Sequence, residues 1–186
     1  MYKQLIINVN EHETRVALLE DACQAFGGTW RGKALGTVGK AGCYSFDFVK
    51  TITCGEGGAV GTDDEETWRR CDQYADHGHD HLGADRGADL HPVLGFNYRI
   101  SELHAAVGLA QIRRLPEFLR IQRRNKAALR AALERVAGVT FRRIPDPAGD
   151  SATVLSFFLP DKGRARGAAA AFKGVALGAR DWLEPH

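Results

Sequence analysis

The sequence of 186 residues has no long apolar segment: uninterrupted apolar runs, such as residues 16–19 and 168–172, stop after a few positions. A membrane-spanning helix needs about 20 apolar residues in a row, so the sequence predicts no such helix. The first residues also lack the apolar core and the small-residue cleavage site of a secretory signal, and they carry Glu11, His12 and Glu13 instead. We therefore expect a cytoplasmic protein.

Cysteine is scarce and scattered. Cys23, Cys43, Cys54 and Cys71 form neither a CxxC pair nor a spacing typical of a secreted disulfide framework. We expect free thiols that pack as small apolar side chains.

An excess of charge of one sign is also missing, because the formal net charge is only +2. Such a balance gives no reason to expect a nucleic acid or a membrane surface as a partner. Residues 113–143 nevertheless hold ten Lys or Arg against two Glu. Leu119, Leu129 and Leu133 interleave with these cations, so we interpret the segment as an amphipathic helix with a solvated face. Nucleic-acid binding is the weaker alternative.

What the sequence does contain is an alternation of short strand patterns with helix patterns. Its composition, 44% hydrophobic and 26% charged, is that of an ordinary globular protein. Strand patterns occupy residues 15–20, 41–49 and 59–62, a glycine-rich loop or hairpin occupies 26–42, and a helix capped by Asp63 or Asp64 runs to Tyr74. This order predicts an α/β fold.

The second half of the chain predicts a long polar loop, two helices and a small α+β unit. The loop covers 77–97, one helix is capped by Ser101, and a longer helix starts at Pro116, runs to about Val136 and is closed by Gly138. Strand patterns at 139–144 and 153–159 and a short helix at 168–172 form the α+β unit, which we expect to be incomplete.

Lys50 follows an aromatic strand pattern and directly precedes a glycine-rich turn, in the segment S-F-D-F-V-K-T-I-T-C-G-E-G-G at 45–58. A lysine amine at such a place can be desolvated, and partly buried lysine amines are the ones that form Schiff bases. Taken alone, Lys50 is better interpreted as an exposed residue at a strand end, because most lysines are exposed.

A second group of polar residues follows the strand pattern at 15–20. Asp21 and Gln24 stand at the carboxyl end of this strand, where open α/β sheets bind ligands. Pyridoxal phosphate requires an amine for its aldehyde, an anion for its ring nitrogen, a donor near its phenolic oxygen and donors for its phosphate. Lys50, Asp21, Gln24 and Ser45 can supply these four groups.

Three segments resemble, in the same order, the DegT/DnrJ/EryC1/StrS family of sugar aminotransferases, which are pyridoxal phosphate enzymes of fold type I. They are E-D-A-C-Q-A-F-G-G-T-W-R-G-K-A-L-G-T-V-G at 20–39, C-Y-S-F-D-F-V-K-T-I-T-C-G-E-G-G-A-V at 43–60 and G-F-N-Y-R-I-S-E-L-H-A-A-V-G-L-A-Q at 95–111. Within the family, the second segment and D-H-G-H-D-H at 76–81 look most like the transaminases that make 8-amino-3,8-dideoxy-manno-octulosonate. Aminotransferases of nucleotide sugars are the default assignment.

The resemblance implies a role for each residue of the predicted site. Lys50 is the catalytic residue, which bonds to the cofactor aldehyde and moves a proton; Asp21 pairs with the ring nitrogen; Gln24 lies by the ring oxygen; and Ser45 binds the phosphate. Asn97, in the family motif G-x-N-x-R, reaches the phosphate bound by a neighbouring subunit, so a homodimer with shared sites is implied. The implied substrates are a keto sugar and an amino-acid donor, with glutamate as the donor.

The resemblance also implies an aspartate-aminotransferase-like large domain that is only partly present. We expect an unassigned segment at 1–14, a partial large domain at 15–115, a connecting helix at 116–137 and a partial small domain at 138–186. The family's phosphate-binding helix N-terminus and ring-stacking aromatic have no counterpart in residues 1–14. A chain of this extent is expected to bind the cofactor weakly by itself, and a non-catalytic fragment is the alternative.

Two further alternatives concern particular residues. The histidines at 77, 79, 81 and 91 together with Asp80 are a candidate metal cluster, but the glycines among them argue against a helix that would fix its geometry, so we expect no metal. A loop that binds an acidic sugar, or a plain solvated loop, is the better interpretation. The family also contains sugar dehydratases in which histidine replaces the lysine, and Lys50 favours transamination.

Overall fold

The computed structural model describes residues 2–9 and 14–173, and for residues 2–9, 14–16 and 173 it describes the backbone alone. In this part of the chain the strands are β1 (Tyr2–Val9), β2 (Thr14–Asp21), β3 (Thr29–Trp30), β4 (Lys33–Ala34), β5 (Ala41–Ser45), β6 (Gly58–Gly61), β7 (Thr140–Phe141) and β8 (Phe157–Phe158). The helices are α1 (Glu65–Ala75), α2 (Glu102–Arg113), α3 (Leu115–Leu133) and α4 (Lys162–Lys173). The predicted α/β fold is confirmed, but the predicted alternation of strands with helices is wrong, because six strands of the described part of the chain precede its first helix.

A mixed sheet with the strand order β1, β2, β5, β6 is the centre of this arrangement. β2 runs parallel to β5, with Asp21 beside Cys43, whereas β1 and β6 run antiparallel to their neighbours. The predicted strand at 15–20 is therefore confirmed, and residues 2–9, which the sequence left unassigned, form the strand next to it. Because β2 and β5 are parallel, their carboxyl ends lie at the same edge of the sheet.

The carboxylate of Glu20 explains why β2 ends on two acids. Glu20 is only 1% exposed. It accepts a hydrogen bond of 3.0 Å from the backbone N–H of Gly36 and further ones from the N–H groups of Val38 and Gly39. A buried carboxylate is stabilised by several such donors. Glu20 thus fixes the glycine-rich segment after β4, and Asp21, on the other face of the strand, stays exposed.

Replacing Glu20 with glutamine should destabilise the fold strongly. The amide would present N–H groups to backbone N–H donors, so at least one charge-assisted hydrogen bond is lost, at a cost of about 2 kcal/mol or more. Chemical denaturation measures the free energy of unfolding. Glu134→Gln, at the exposed end of α3, is the matched control and should change stability little. Equal stabilities of the two variants would contradict the buried role of Glu20.

Local caps explain the helix boundaries. Asp64 accepts a hydrogen bond from the N–H of Thr67 and starts α1, and Ser101 accepts one from the N–H of His104 and starts α2. Pro116 stands in the first turn of α3. These predicted starts are confirmed, although α3 ends at Leu133 rather than near Val136.

Strand lengths differ from the sequence-based expectation. β5 ends at Ser45 rather than at Val49, because the chain turns after Asp47, whose carbonyl accepts a hydrogen bond from the N–H of Lys50. The predicted strands at 139–144 and 153–159 shrink to β7 and β8, which pair with each other. The short helix predicted at 168–172 is part of the longer α4. The proposed domain boundaries stay predictions, and residues 174–186 of the last unit lie outside the described residues.

The segment after β7 packs back against the first half of the chain. Gly149 accepts a hydrogen bond from the N–H of Thr29, and Asp146 accepts one from the N–H of Arg31, so this segment contacts the β3–β4 hairpin. Asp150 forms an ion pair of 2.5 Å with Lys126 on α3. The hairpin predicted within 26–42 is confirmed, and it connects the two halves of the described chain.

Two further expectations can be compared with the structure. Among the residues described, no helix is both long enough and apolar enough to cross a membrane. All four cysteines are free; Cys54 is buried, whereas Cys23, Cys43 and Cys71 are half-buried. The cytoplasmic location stays a prediction.

Candidate functional site

Asp21 ends β2 at the edge where the two parallel strands terminate. Its carboxylate accepts a hydrogen bond of 3.1 Å from the backbone N–H of Cys23. The hydrogen bonds from Cys23 hold the pKa of Asp21 below its usual value; partial burial acts in the opposite direction, and the positive charge of Lys50 adds a weaker lowering effect. Asp21 is therefore an exposed, firmly ionised carboxylate at the sheet edge.

Lys50 lies in the turn that follows β5, and its charge reaches Asp21. The side chain is half-buried and lines a cavity of about 260 Å³ together with Thr51, Gln111 and Gln122. Phe118 and Ile121 of α3 form the apolar part of the same cavity. The structure thus brings together an amine and a carboxylate that the sequence separates by 29 positions.

Cys23 is a neighbour of this pair that sequence analysis treated only as a small apolar residue. Burial, followed by the adjacent Asp21 carboxylate, raises the pKa of Cys23 to about 11. Its thiol therefore stays protonated near neutral pH, and it lies 3.6 Å from the carbonyl oxygen of Cys43 in β5. Cys23 links the ends of β2 and β5 and supplies a hydrogen bond to Asp21. Its position two residues after Asp21 is the sequence feature that could have identified Cys23 as part of the site.

Gln24 and Ser45 lie next to this edge of the sheet and differ in exposure and in hydrogen bonding. Gln24 is exposed, and its amide forms no hydrogen bond with any residue in the described part of the chain. Ser45, at the end of β5, is half-buried, and its Oγ lies 3.4 Å from the N–H of Asp47. Ser45 keeps its own hydroxyl proton as a donor, so both side chains have donors available for a ligand.

Asn97 lies apart from the Lys50 cavity, against the end of α1. The backbone on either side of it is fixed, because Phe96 donates to the carbonyl of Tyr74 at 2.8 Å and Tyr98 donates to that of Ala75 at 2.9 Å. The Asn97 side chain is exposed. Next to it, residues 98–101, His104 and the glycine turn at 56–58 line a second cavity of about 480 Å³.

Asp76 is the centre of a charged cluster that sequence analysis did not identify. It is 6% exposed and forms two hydrogen bonds with Arg86, at 2.7 and 2.8 Å, and an ion pair with Arg99. Nδ1 of His77 lies 3.0 Å from the Arg99 guanidinium. This buried carboxylate thus ties the middle of the loop at 77–97, through Arg86, and the segment just after the loop, through Arg99, to the end of α1.

The nearby histidines are arranged as a loop and not as a helix. His77 and His81 both have a φ of 56°, which a helix does not allow. Asp76, His77 and His79 place one ligand atom each within 4.8 Å of one another, which is close enough for a metal ion. However, both oxygens of Asp76 bind guanidinium groups. Two arginine cations at the same carboxylate disfavour a divalent ion there.

Asp76 predicts a specific loss of stability in acid. The hydrogen bonds from Arg86, and then those from Arg99 and His77, hold the pKa of Asp76 well below its usual range. Its stabilising contribution is therefore complete above the ordinary aspartate pKa of about 4 and is lost as the pH falls through and below that value. Urea midpoints at pH 7 and pH 3 should differ more for the wild type than for Asp76→Asn. Asp63→Asn, at an exposed residue, should keep the wild-type pH response.

Comparisons with known proteins show the family to which the chain is similar. Residues 7–173 match the DegT/DnrJ/EryC1/StrS aminotransferase family. A GDP-perosamine synthase of Escherichia coli O157:H7 is 40% identical over 102 residues, which are 55% of this chain and 27% of that protein. The fold matches E. coli GDP-4-keto-6-deoxy-D-mannose-3-dehydratase with bound hydrated PLP, with a TM-score of 0.75, 26% identity and coverage of 87% of this chain and 44% of that one. It also matches the aminotransferase TlmJ from Streptoalloteichus hindustanus, with a TM-score of 0.75, 29% identity and coverage of 86% and 43%.

These matches confirm part of a fold type I architecture and limit the finer assignment. The chain spans less than half the length of these solved structures and about a quarter of that synthase. A GDP-perosamine synthase of Caulobacter vibrioides is likewise 37% identical over 121 residues, which are 65% of this chain and 29% of that protein. The more specific resemblance to octulosonate transaminases is therefore not supported.

Proposed function

The chain belongs to the DegT/DnrJ/EryC1/StrS aminotransferase family, and from this premise we propose that it carries the central part of a pyridoxal phosphate site for amino transfer to a keto sugar. The proposed amino donor is glutamate, and the proposed acceptor is a nucleotide-linked keto sugar used for cell-surface polysaccharides. GDP-perosamine synthases among the similar proteins support that acceptor class. An acceptor of the octulosonate type is the less supported form of the proposal.

The observation that carries the proposal is that Asp21, at the carboxyl edge of β2 and β5, lies within electrostatic reach of Lys50. An ionised carboxylate favours a protonated ring nitrogen, and a half-buried amine within its electrostatic reach can bond to an aldehyde on the same ring. When bound, pyridoxal phosphate supplies an electron sink for the carbon that carries the amino group. The residues present fit this group.

The chain's own residues divide the work of binding and proton transfer. Asp21 holds the charge of the ring nitrogen, and Cys23 keeps that carboxylate ionised. Gln24 and Ser45 offer donors to the ring oxygen and the phosphate. Lys50 provides the amine that moves a proton, and it returns to its neutral form for the next cycle.

Asn97 supports the proposal that the active assembly is a homodimer with shared sites. Its side chain is exposed, and the backbone around it is fixed by hydrogen bonds to α1. Large exposed apolar side chains surround it: Leu94, Phe96, Tyr98 and Ile100 are 43 to 83% exposed. Several large exposed apolar side chains close together in the sequence are typical of a protein interface. Asn97 would then donate to the phosphate held by the partner subunit.

The experiment that tests the proposed function measures the transfer of the amino group from glutamate to the keto sugar. Protein incubated with pyridoxal phosphate, glutamate and a GDP-linked 4-keto-6-deoxy sugar should produce 2-oxoglutarate and an amino sugar in equal amounts, as measured by mass spectrometry. The expected product retains every hydroxyl group of the acceptor. Cofactor binding without any 2-oxoglutarate formation would count against amino transfer.

A second candidate function is dehydration, since one of the similar solved structures is a 3-dehydratase. A dehydratase would release a hydroxyl group of the sugar, so the same mass spectrum distinguishes the two reactions. Lys50 favours amino transfer, because the family's dehydratases carry histidine at that position. We therefore rank dehydration second.

A further inference from the structure

Two glutamines that line the cavity beside Lys50 each have a buried side-chain oxygen atom that lacks a hydrogen-bond donor within the described part of the chain. These atoms are Oε1 of Gln111, on α2, and Oε1 of Gln122, on α3. Both glutamines line the cavity of about 260 Å³ together with Lys50. Buried carbonyl groups in folded proteins nearly always have a donor, so these two acceptors point to a group that belongs in the cavity.

The orientation of Gln122 is set by a polar network next to Lys50. Its Nε2 donates to Oγ1 of Thr51 at 3.2 Å, and Oγ1 of Thr51 lies 3.5 Å from Oγ1 of Thr153. Thr153 in turn lies 3.1 Å from the hydroxyl of Ser151, which is buried. This network connects the residue after Lys50 with α3, so the amide of Gln122 is held beside the turn that carries the amine.

Among the side chains that line this cavity, the ammonium of Lys50 and the amide group of Gln111 donate no hydrogen bond within the described residues, and Lys50 is the cation of the two. An ammonium group has three donors and no acceptor. Within residues 17–172, Lys50 forms no ion pair or side-chain hydrogen bond, although the charge of Asp21 acts on it. Phe118 and Ile121 carry no side-chain donor, and Thr51 already accepts from Gln122. Two acceptors without donors thus line the same cavity as a cation that has no acceptor among the described residues.

We propose that Gln111 and Gln122 are positioning residues for Lys50: their oxygens and its ammonium have no hydrogen-bond partner among the described residues, and a change of side-chain rotamer lets the ammonium donate to them. Neutral acceptors hold the ammonium in place without the strength of an ion pair, so the amine can leave them again. The importance of this for turnover depends on the proposed amino transfer. The interaction itself does not, because it involves this chain's residues alone.

Trace acetylation of lysines with acetic anhydride tests the proposal, because only the neutral amine reacts. Acetylation of Lys50 is measured by peptide mass spectrometry relative to Lys33, an exposed internal reference. In the double variant Gln111→Leu with Gln122→Leu, the relative rate at pH 7.5 should rise about tenfold, the value of one hydrogen bond to a charged group. In the double variant with Glu at both positions, it should fall below the wild-type rate, since carboxylates hold the ammonium more strongly.

Gln73→Leu removes a buried amide from α1 and controls for general effects of such a loss. It should leave the acetylation ratio of Lys50 to Lys33 unchanged. If the double variant with Leu at positions 111 and 122 does not fold, the double variant with Glu at both positions still tests the proposal. A ratio that stays within twofold of the wild type in every folded double variant overturns the proposal. The reagent involves no cofactor, so that result would leave the test of amino transfer unaffected.

Discussion

Replacing Lys50 with alanine is expected to reduce the borohydride-fixed adduct of pyridoxal phosphate to background and to abolish amino transfer. Lys50 is the amine within electrostatic reach of the Asp21 carboxylate, and its half-buried position keeps it close to the site. The loss follows because a covalent bond to the cofactor aldehyde requires a primary amine. Borohydride converts that bond into a stable secondary amine, so even weak cofactor binding leaves a measurable label.

The measurement is a peptide map of the labelled protein. In the wild type the pyridoxyl group should lie on the peptide that contains Lys50, and labelling of Lys33 should stay low at micromolar cofactor. Lys33→Ala is the matched control, since this exposed lysine lies on β4. Its labelling and activity should equal those of the wild type. A fixed adduct that persists at wild-type level in Lys50→Ala would falsify the assignment.

The Lys50→Arg variant distinguishes the need for a primary amine at this position from the need for a positive charge. Lys50→Arg keeps a cation near Asp21, so the pKa of Asp21 should stay depressed and the fold should be retained. A guanidinium does not form the covalent bond at neutral pH, because it stays protonated. Loss of the adduct in both Lys50→Arg and Lys50→Ala would therefore show that the amine itself is required.

Features that depend on neighbours in sequence could be predicted, and features that depend on distant partners could not. Asp64 and Ser101 cap helices through donors three residues away, so their positions were readable from the sequence. The turn between Asp47 and Lys50 was not, because the aromatic alternation continues through it as in a strand. The prediction of a strand to Val49 was therefore wrong, because β5 ends at Ser45. Lys50 does follow the strand, as predicted, in the turn after β5.

Buried charge was the largest gap in the sequence-based interpretation. Asp76 pairs with Arg86, ten residues away, and with Arg99, 23 residues away. Glu20 binds backbone N–H groups, which have no sequence signature of their own. In both cases the loop that supplies the donors must be folded before the carboxylate has a partner. In the sequence, Glu20 and Asp76 are simply acidic residues among apolar or polar neighbours. That pattern does not distinguish a buried carboxylate that fixes a loop from an acidic residue at the surface.

The position of Asn97 leads to the second large expected effect, recovery of activity when two inactive variants are mixed. Asn97 is exposed and lies apart from the Lys50 cavity, next to exposed apolar side chains. If it serves the partner's site, each active site combines Lys50 of one subunit with Asn97 of the other. Asn97→Asp places a carboxylate beside a phosphate and should abolish activity by repulsion, with little change in volume.

Equal amounts of Lys50→Ala and Asn97→Asp subunits, mixed under conditions that exchange subunits, should give about half heterodimers. Each heterodimer has one site with both substitutions and one site with neither, so about a quarter of all sites should be intact. Activity should therefore recover from background to about a quarter of the wild-type value. Different affinity tags on the two variants allow the heterodimer to be isolated and assayed alone. An inactive purified heterodimer would place Asn97 in its own subunit's site or outside the site.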